Sequence, residues 1–216
     1  MMTDVRARRL GETSWVVENS SSLEARSIAL WLSEQQGITE AWPAFDHVGV
    51  EASCDVAALL QGFKSPRFAT LPLKIYDIYV LYDLYDQYDL HAAANTLGLS
   101  PQELIALHTS STFTVEAIGF SPGFAHMSGL APQLCGLPRL SAPRKRVPVG
   151  AVALTETYCG VYPSASPGGW NIIGQTPLLM ADLGTEFFPL RVGDQVRFTA
   201  IDPEEFQRRE GTRLGD

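Results

Sequence analysis

GFSPGFAHMSGL (119–130), PRLSAPRKRVPVGAVAL (138–154) and CGVYPSASPGGW (159–170) form the stretch that decides how this chain is read. Glycine and proline recur there at tight spacing beside aromatic residues, which cuts the chain into short strands separated by turns. Irregular short strands of this kind point to a closed or nearly closed barrel. Arg139, Arg144, Lys145 and Arg146 put four of the 16 basic residues into eight positions of a chain whose net charge is −8. A cationic spot on an acidic protein suits a small anion or an acidic partner surface and argues against general nucleic-acid binding. The same charges also suit a solvated loop, and charge alone does not separate the two.

Outward from this stretch the β character continues. Residues 113–118, 147–154, 171–174 and 195–200 read as strands, Pro203 opens a short helix, and EGTRLGD (210–216) is expected to fray. Upstream, Ser100, Pro101 and Glu103 combine a cap, a first-turn proline and a capping-box glutamate at one helix start. Asp89 is placed to cap the preceding helix, which Gly98 ends. Tyr76, Tyr79, Tyr82, Tyr85 and Tyr88 recur every third residue, a period that fits neither strand nor helix. They read as a strand end running into a hinge near 83–87, or else as an acidic, aromatic recognition loop. The N-terminal part gives two short strand-like pieces within 5–18 around the Gly11-Glu12-Thr13 turn, the second at 14–18, then a helix beginning at Ser21 with Glu24 as its capping partner, strands at 38–42 and 47–52, a second helix from Ser53 or Asp55, and a strand at 73–81. That strand–helix–strand–strand–helix–strand order is the ferredoxin-like sandwich. The expected fold class is α+β: an N-terminal ferredoxin-like domain over 1–84 and a β-barrel domain over 85–216.

With 45% apolar and 19% charged residues the chain has the composition of a folded protein rather than a disordered one. No apolar run approaches the roughly 20 residues that cross a bilayer, so no membrane partner is expected. Cys54, Cys135 and Cys159 are odd in number and far apart, which favours reduced thiols and a cytoplasmic location. The four histidines lack HxH or HExxH spacing, so no metal ligand set is expected.

His108 lies in the last turn of a helix, where the dipole favours its protonated form, and is a candidate anion ligand or acid. His126, in the 119–126 loop, is a candidate of the same kind. Cys159 reads as a packing residue, and Ser164 and Ser166 lack the GxSxG elbow of a nucleophile. The glycines of GFSPGF and SPGG do not have Walker or dinucleotide spacing; they allow backbone N–H groups close to a ligand. Arg144 and Arg146, two apart in an extended segment, point to one face and present forks suited to carboxylate or phosphate. Phe120, Phe124, Tyr162 and Trp170 supply the walls.

GFxPGF (119–124), PRxxxPRxRVPxG (138–150) and GxYPxxSPGGW (160–170), followed by IGxTP from Ile173, together resemble the family of the bacterial 5-oxoprolinase B subunit. This is also the allophanate hydrolase subunit 1 family, and it includes the sporulation-kinase inhibitor KipI. ELIALHTS (103–110) and RRLGETSWVVE (8–18) fit as well, so the resemblance covers nearly the whole chain. It implies a cyclophilin-like barrel after the N-terminal domain, and opening of 5-oxoproline to glutamate at the expense of ATP. One implied partner is a second cyclophilin-like subunit, of the 5-oxoprolinase C or allophanate hydrolase subunit 2 type. The other is a third, the A component of 5-oxoprolinase. The resemblance leaves ATP to be bound by this chain or at its partner. The implied substrate site is Phe120, Pro122, Gly123, Phe124, Ser166, Gly168, Gly169 and Trp170, with Tyr162 as a wall, and with Arg144, Arg146 and nearby His108 as the catalytic groups. Alternatives are a KipI-like inhibitor that binds a histidine kinase, or half of a biotin-dependent carboxyltransferase acting on urea or a similar amide. The chain departs from the family where YDLYDQYDL (82–90) replaces a glycine-rich loop, at Tyr158-Cys159, and at His126 in an aromatic position. These departures leave open a different small amide or a non-catalytic paralogue.

Overall fold

The computed structural model describes residues 5–19, 21–63, 73–82 and 87–216. The chain divides into two units, Met1–Leu73 and Lys74–Asp216. In the first, β1 (Arg6–Arg9) turns back on β2 (Ser14–Glu18), and α1 (Ser22–Ser33), β3 (Ile38–Ala44), β4 (His47–Ala52) and α2 (Val56–Leu60) follow. The strands lie in the order β1-β2-β4-β3, all antiparallel. Helix α1 begins where the Ser21 hydroxyl accepts the Glu24 backbone N–H, as the capping pattern predicts. Its Ala25, Ile28, Ala29 and Leu32 recur at helical spacing and are buried with Val48 and Val50 of β4, which alternates in and out. Burial of Ile28 and Leu32 stabilises the unit by about 2 kcal/mol each on area grounds.

The ferredoxin-like order is not completed in this unit. Its expected last strand is β5 (Ile75–Tyr82), which belongs to the second unit. The edge beside β2 is held instead by β1. The division therefore falls at 73/74 rather than the expected 84/85.

The second unit continues with α3 (Leu90–Leu97), α4 (Pro101–Ser110), β6 (Thr112–Ile118), β7 (Ala125–Ser128), β8 (Arg144–Val147), β9 (Ala151–Thr155), β10 (Tyr158–Val161), β11 (Ser166–Gly168), β12 (Asn171–Gln175), β13 (Gln195–Ala200) and α5 (Pro203–Arg209). Seven strands follow one another as β6-β13-β5-β12-β9-β10-β7, and β7 pairs back to β6, which closes the barrel. All pairings in this ring are antiparallel except β5 with β13. Strands β8 and β11 form a separate two-stranded ribbon.

The tyrosine triplets resolve into ordinary strand alternation over β5. Tyr76, Ile78, Val80 and Tyr82 all face the core, while Tyr79 lies on the other face with the Arg209 guanidinium 3.8 Å from its ring centre. The expected hinge falls on 83–87, of which 83–86 lie outside the described residues. Helix α4 has its full capping box: Ser100 N–H donates to Glu103 Oε2 at 2.8 Å and Glu103 N–H to Ser100 Oγ at 3.2 Å. Gly98 ends α3 in the left-handed conformation. The tail does not fray. Leu214 is buried, and Leu179 donates its N–H to Thr212 O at 2.8 Å.

Candidate functional site

Between β6 and β7 the chain must reverse, and GFSPGF does it. Phe124 N–H donates to Ser121 O at 3.0 Å across Pro122 and Gly123, with Gly123 at φ +80°. Proline at the second and a positive-φ glycine at the third position define a type II turn. A side chain at Gly123 would also meet Ala181 Cβ at 2.3 Å. Phe120, just before the turn, holds φ +74° although it carries a side chain, and its ring is 66% exposed. Strained backbone of this sort is found at ligand clamps.

The turn brings Phe120 and Phe124 to a cavity of about 200 Å³. Its apolar floor joins Phe124, Tyr162 and Trp170 in one buried cluster with Val147, Ala151, Ala153 and Ile172. The rings meet edge to face: Phe124–Tyr162 at 5.0 Å, Phe124–Trp170 at 5.4 Å and Phe120–Phe124 at 5.5 Å. Gly168, Gly169, Leu140, Pro143, His126 and Arg139 complete the lining, with Leu140 N–H donating to Gly169 O at 2.8 Å. Gly168 is required by close approach, since a Cβ there would lie 2.3 Å from the Tyr162 hydroxyl. A Gly168→Ala protein is expected to lose about 1–3 kcal/mol of stability. A urea midpoint equal to that of the parent shows instead that Tyr162 swings aside freely.

Burial raises the Tyr162 hydroxyl above its ordinary value, opposed by the Trp170 backbone N–H and by the charges of Arg139 and Arg144. Tyr162 is therefore a neutral donor at pH 7. Burial and then the Arg139 charge lower the pKa of His126, so its imidazole is neutral there too. Arg139 has its closest carboxylate, Glu156, at 3.9 Å, and both side chains are more than half exposed. A pair like this binds Arg139 weakly and leaves its fork available to an anion.

The expected site residues fall into three groups. Phe120, Phe124, Tyr162, Gly168, Gly169 and Trp170 line the cavity. Pro122 and Gly123 shape the turn, and Ser166 is a ribbon residue outside the lining. The three catalytic candidates do not line the cavity. Arg144 donates to Asp89 Oδ1 at 2.7 Å, and Asp89 Oδ2 accepts the Ile172 N–H at 2.7 Å. Asp89 thus braces the strand that follows Trp170, and its side chain makes no cap bond to α3. Arg146 is exposed. The expected common face is lost because Ser166 and Gly168, two apart on β11, oppose Val147 and Arg144, three apart on β8. That bulge breaks the alternation on which the two-residue spacing relied.

His108 is fully buried. Its Nδ1 lies 2.7 Å from the Tyr82 hydroxyl and its Nε2 3.4 Å from Cys159 Sγ, and its ring packs on Phe113 and Phe198. Burial lowers its pKa to about 3, so desolvation overrides the helix dipole and the ring is neutral. Cys159 is buried, as its reading as a packing residue predicts, and burial pushes its thiol up. Arg139, Leu140 and Pro143 are the lining residues that sequence reasoning left out of the site, although Arg139 and Pro143 are fixed positions of the PRxxxPRxR motif. Among the described residues, no three His, Cys, Asp or Glu side chains cluster to hold a metal, and no helix is long and apolar enough to cross a membrane.

The fold and the site together define a closed β-barrel unit with a small aromatic-walled cavity edged by a cation. The profile of the carboxyltransferase domain, subdomain C and D, matches residues 5–188, and the chain belongs to this family. It is 33% identical over 211 residues to the 5-oxoprolinase B subunit of Escherichia coli O157:H7, covering 91% of this chain and 96% of that one. It is 36% identical over 140 residues to the 5-oxoprolinase B subunit of Bacillus subtilis (strain 168), where the match spans 62% of this chain and 55% of the relative. The crystal structure of TTHA0988 superposes with a TM-score of 0.73 at 33% identity, covering 93% of this chain and 40% of that one. The Kluyveromyces lactis urea carboxylase, at 17% identity, shares the fold with a TM-score of 0.70 over 97% of this chain and 23% of that one.

Proposed function

We propose that the chain is the component of an ATP-dependent 5-oxoprolinase that holds the lactam while its ring is opened, acting with a cyclophilin-like partner and a third subunit. The observation that carries this reading is the cavity itself. Phe120, Tyr162 and Trp170 offer flat apolar faces to a small ring, and Arg139 offers a fork to a carboxylate. About 200 Å³ is small beside the ~300 Å³ and more of pockets for drug-sized ligands, which matches a single five-membered ring. At about 200 Å³ the cavity suits a ligand smaller than ATP, and its paired glycines lack Walker spacing. We therefore assign the nucleotide to the partner subunits and derive no step through it. The residues of this chain orient the ring and exclude water from its apolar side, with the Tyr162 hydroxyl as a neutral donor.

The test is glutamate release from 5-oxoproline and ATP by the chain coexpressed with its partner subunits. Arg139→Ala is expected to raise KM about tenfold or more with the urea midpoint unchanged, because the side chain is 64% exposed. Absence of glutamate release with every subunit present rejects the reading. The carboxyltransferase description of the family favours a second one, transfer of a carboxyl group to a small amide. Biotin-dependent carboxylation of the amide, without lactam opening, is the result that would establish it.

A further inference from the structure

Strand β8 reads Arg144-Lys145-Arg146-Val147, and its four side chains do not alternate in and out. Val147 is buried in the cluster of Phe124, Tyr162 and Trp170, and Arg144 turns to Asp89 Oδ1 at 2.7 Å. Lys145 and Arg146, between them, are both exposed. The register with β11 accounts for this. Val147 faces Ser166 and Arg144 faces Gly168, which leaves two residues of β8 opposite the single Pro167. A two-to-one bulge re-aims side chains, and this one exposes two consecutive cations on a chain of net charge −8.

The flank beside these cations is open. Among the described residues β8 has β11 as its strand neighbour, and 144–147 make no backbone hydrogen bond outside the ribbon. An uncovered edge offers its N–H and C=O groups to an added strand. Strand β11 is the poorer edge for this, because Pro167 has no N–H to give. Pro143, the residue before β8, and Gly168 of β11 both line the cavity, so the ribbon adjoins it.

We propose that the open edge of β8 is a docking site for an extended acidic segment of a partner protein, which adds as a strand and sets its carboxylates against Lys145 and Arg146. Main-chain bonds supply the affinity of such an addition, and the opposed charges choose the partner and fix its register. A second copy of the ribbon is the wrong occupant, because its flank brings the same cations. Nucleic acid is a poorer one, since two cations on so acidic a chain neutralise few phosphates. This docking needs no lactam in the cavity.

The experiment is NMR titration of the ¹⁵N-labelled full chain with a capped peptide of alternating glutamate and valine. The amide signals of 144–147 are expected to shift, and their exchange with solvent to slow. Lys145→Glu combined with Arg146→Glu weakens binding about tenfold or more, with the urea midpoint unchanged because both side chains are exposed. The same peptide N-methylated on its amides binds about tenfold or more weakly, since it cannot complete the ladder. Absence of shifts at 144–147, or equal binding by the N-methylated peptide or by a lysine–valine peptide, overturns the docking site. Tighter binding of a single-stranded oligonucleotide overturns it too, as does a concentration-dependent dimer whose contact maps to β8. Release of glutamate from 5-oxoproline is read separately, so this site and the lactam reading fail independently.

Discussion

Lowering the pH from 7 to 4 is expected to destabilise the barrel unit by about 3 kcal/mol through His108 alone. The folded-state pKa is about 3, against an ordinary value of 6.5. Between those values the unfolded chain binds a proton at this position and the native protein does not. The stabilising contribution is thus present in full above the unfolded pKa and is lost as pH falls through that window, at about 1.4 kcal/mol per unit. The cause is structural: the imidazole is enclosed by Phe113 and Phe198, and among the described residues its polar neighbours in reach are the Tyr82 hydroxyl and the Cys159 thiol, neither of which carries a charge. His108→Gln removes the titrating group while retaining hydrogen-bonding capacity toward Tyr82. Urea melts at pH 7 and pH 4 should show the variant losing about 3 kcal/mol less than the parent between the two. Equal losses would show that other groups set the acid sensitivity.

Asp89→Ala is expected to cost about 2–3 kcal/mol at pH 7. One carboxylate serves two strands: Oδ1 takes the Arg144 guanidinium of β8, and Oδ2 takes the Ile172 N–H of β12. Its loss leaves a largely buried cation without its anion and a buried backbone donor without an acceptor. Removing one partner of such a pair is worse than removing both. The Arg144 side chain retains 28% exposure, which places the cost below that of a fully enclosed pair. The companion variant is Asp89→Ala with Arg144→Met, which should recover part of the loss in a double-mutant cycle. If the two single changes simply add, the ion pair is not what braces the wall beside Trp170.

What was legible in the sequence is what local chemistry dictates. The Ser100–Glu103 capping box and the Gly98 helix stop each involve residues within a few positions, and each stands as read. The aromatic walls were legible for a related reason: Phe120, Phe124, Tyr162 and Trp170 stand next to the glycines and prolines that turn the chain toward the cavity. The failures are all non-local. Alternation marked 73–81 as a strand, but its partners, Gln195–Ala200 and Asn171–Gln175, lie about a hundred residues away and cannot be inferred from period alone. His108 has the helical address of a surface residue and is buried because strands β5, β6, β10 and β13 bring Tyr82, Phe113, Cys159 and Phe198 around it. The two-residue spacing of Arg144 and Arg146 was a sound argument for a regular strand, and a single bulge defeated it.

The closed ring of strands also bears on how the chain stays dispersed. Within the barrel every strand has a bonded neighbour on each flank, so none is a template for adding a foreign strand. The β8–β11 ribbon has no such cover among the described residues, and it carries exposed Lys145 and Arg146. Charges on a bare flank repel an incoming copy and are a recognised guard against strand-to-strand clumping. Lys145 and Arg146 are thereby placed to oppose such association, while Arg139 lies outside the ribbon and lines the cavity.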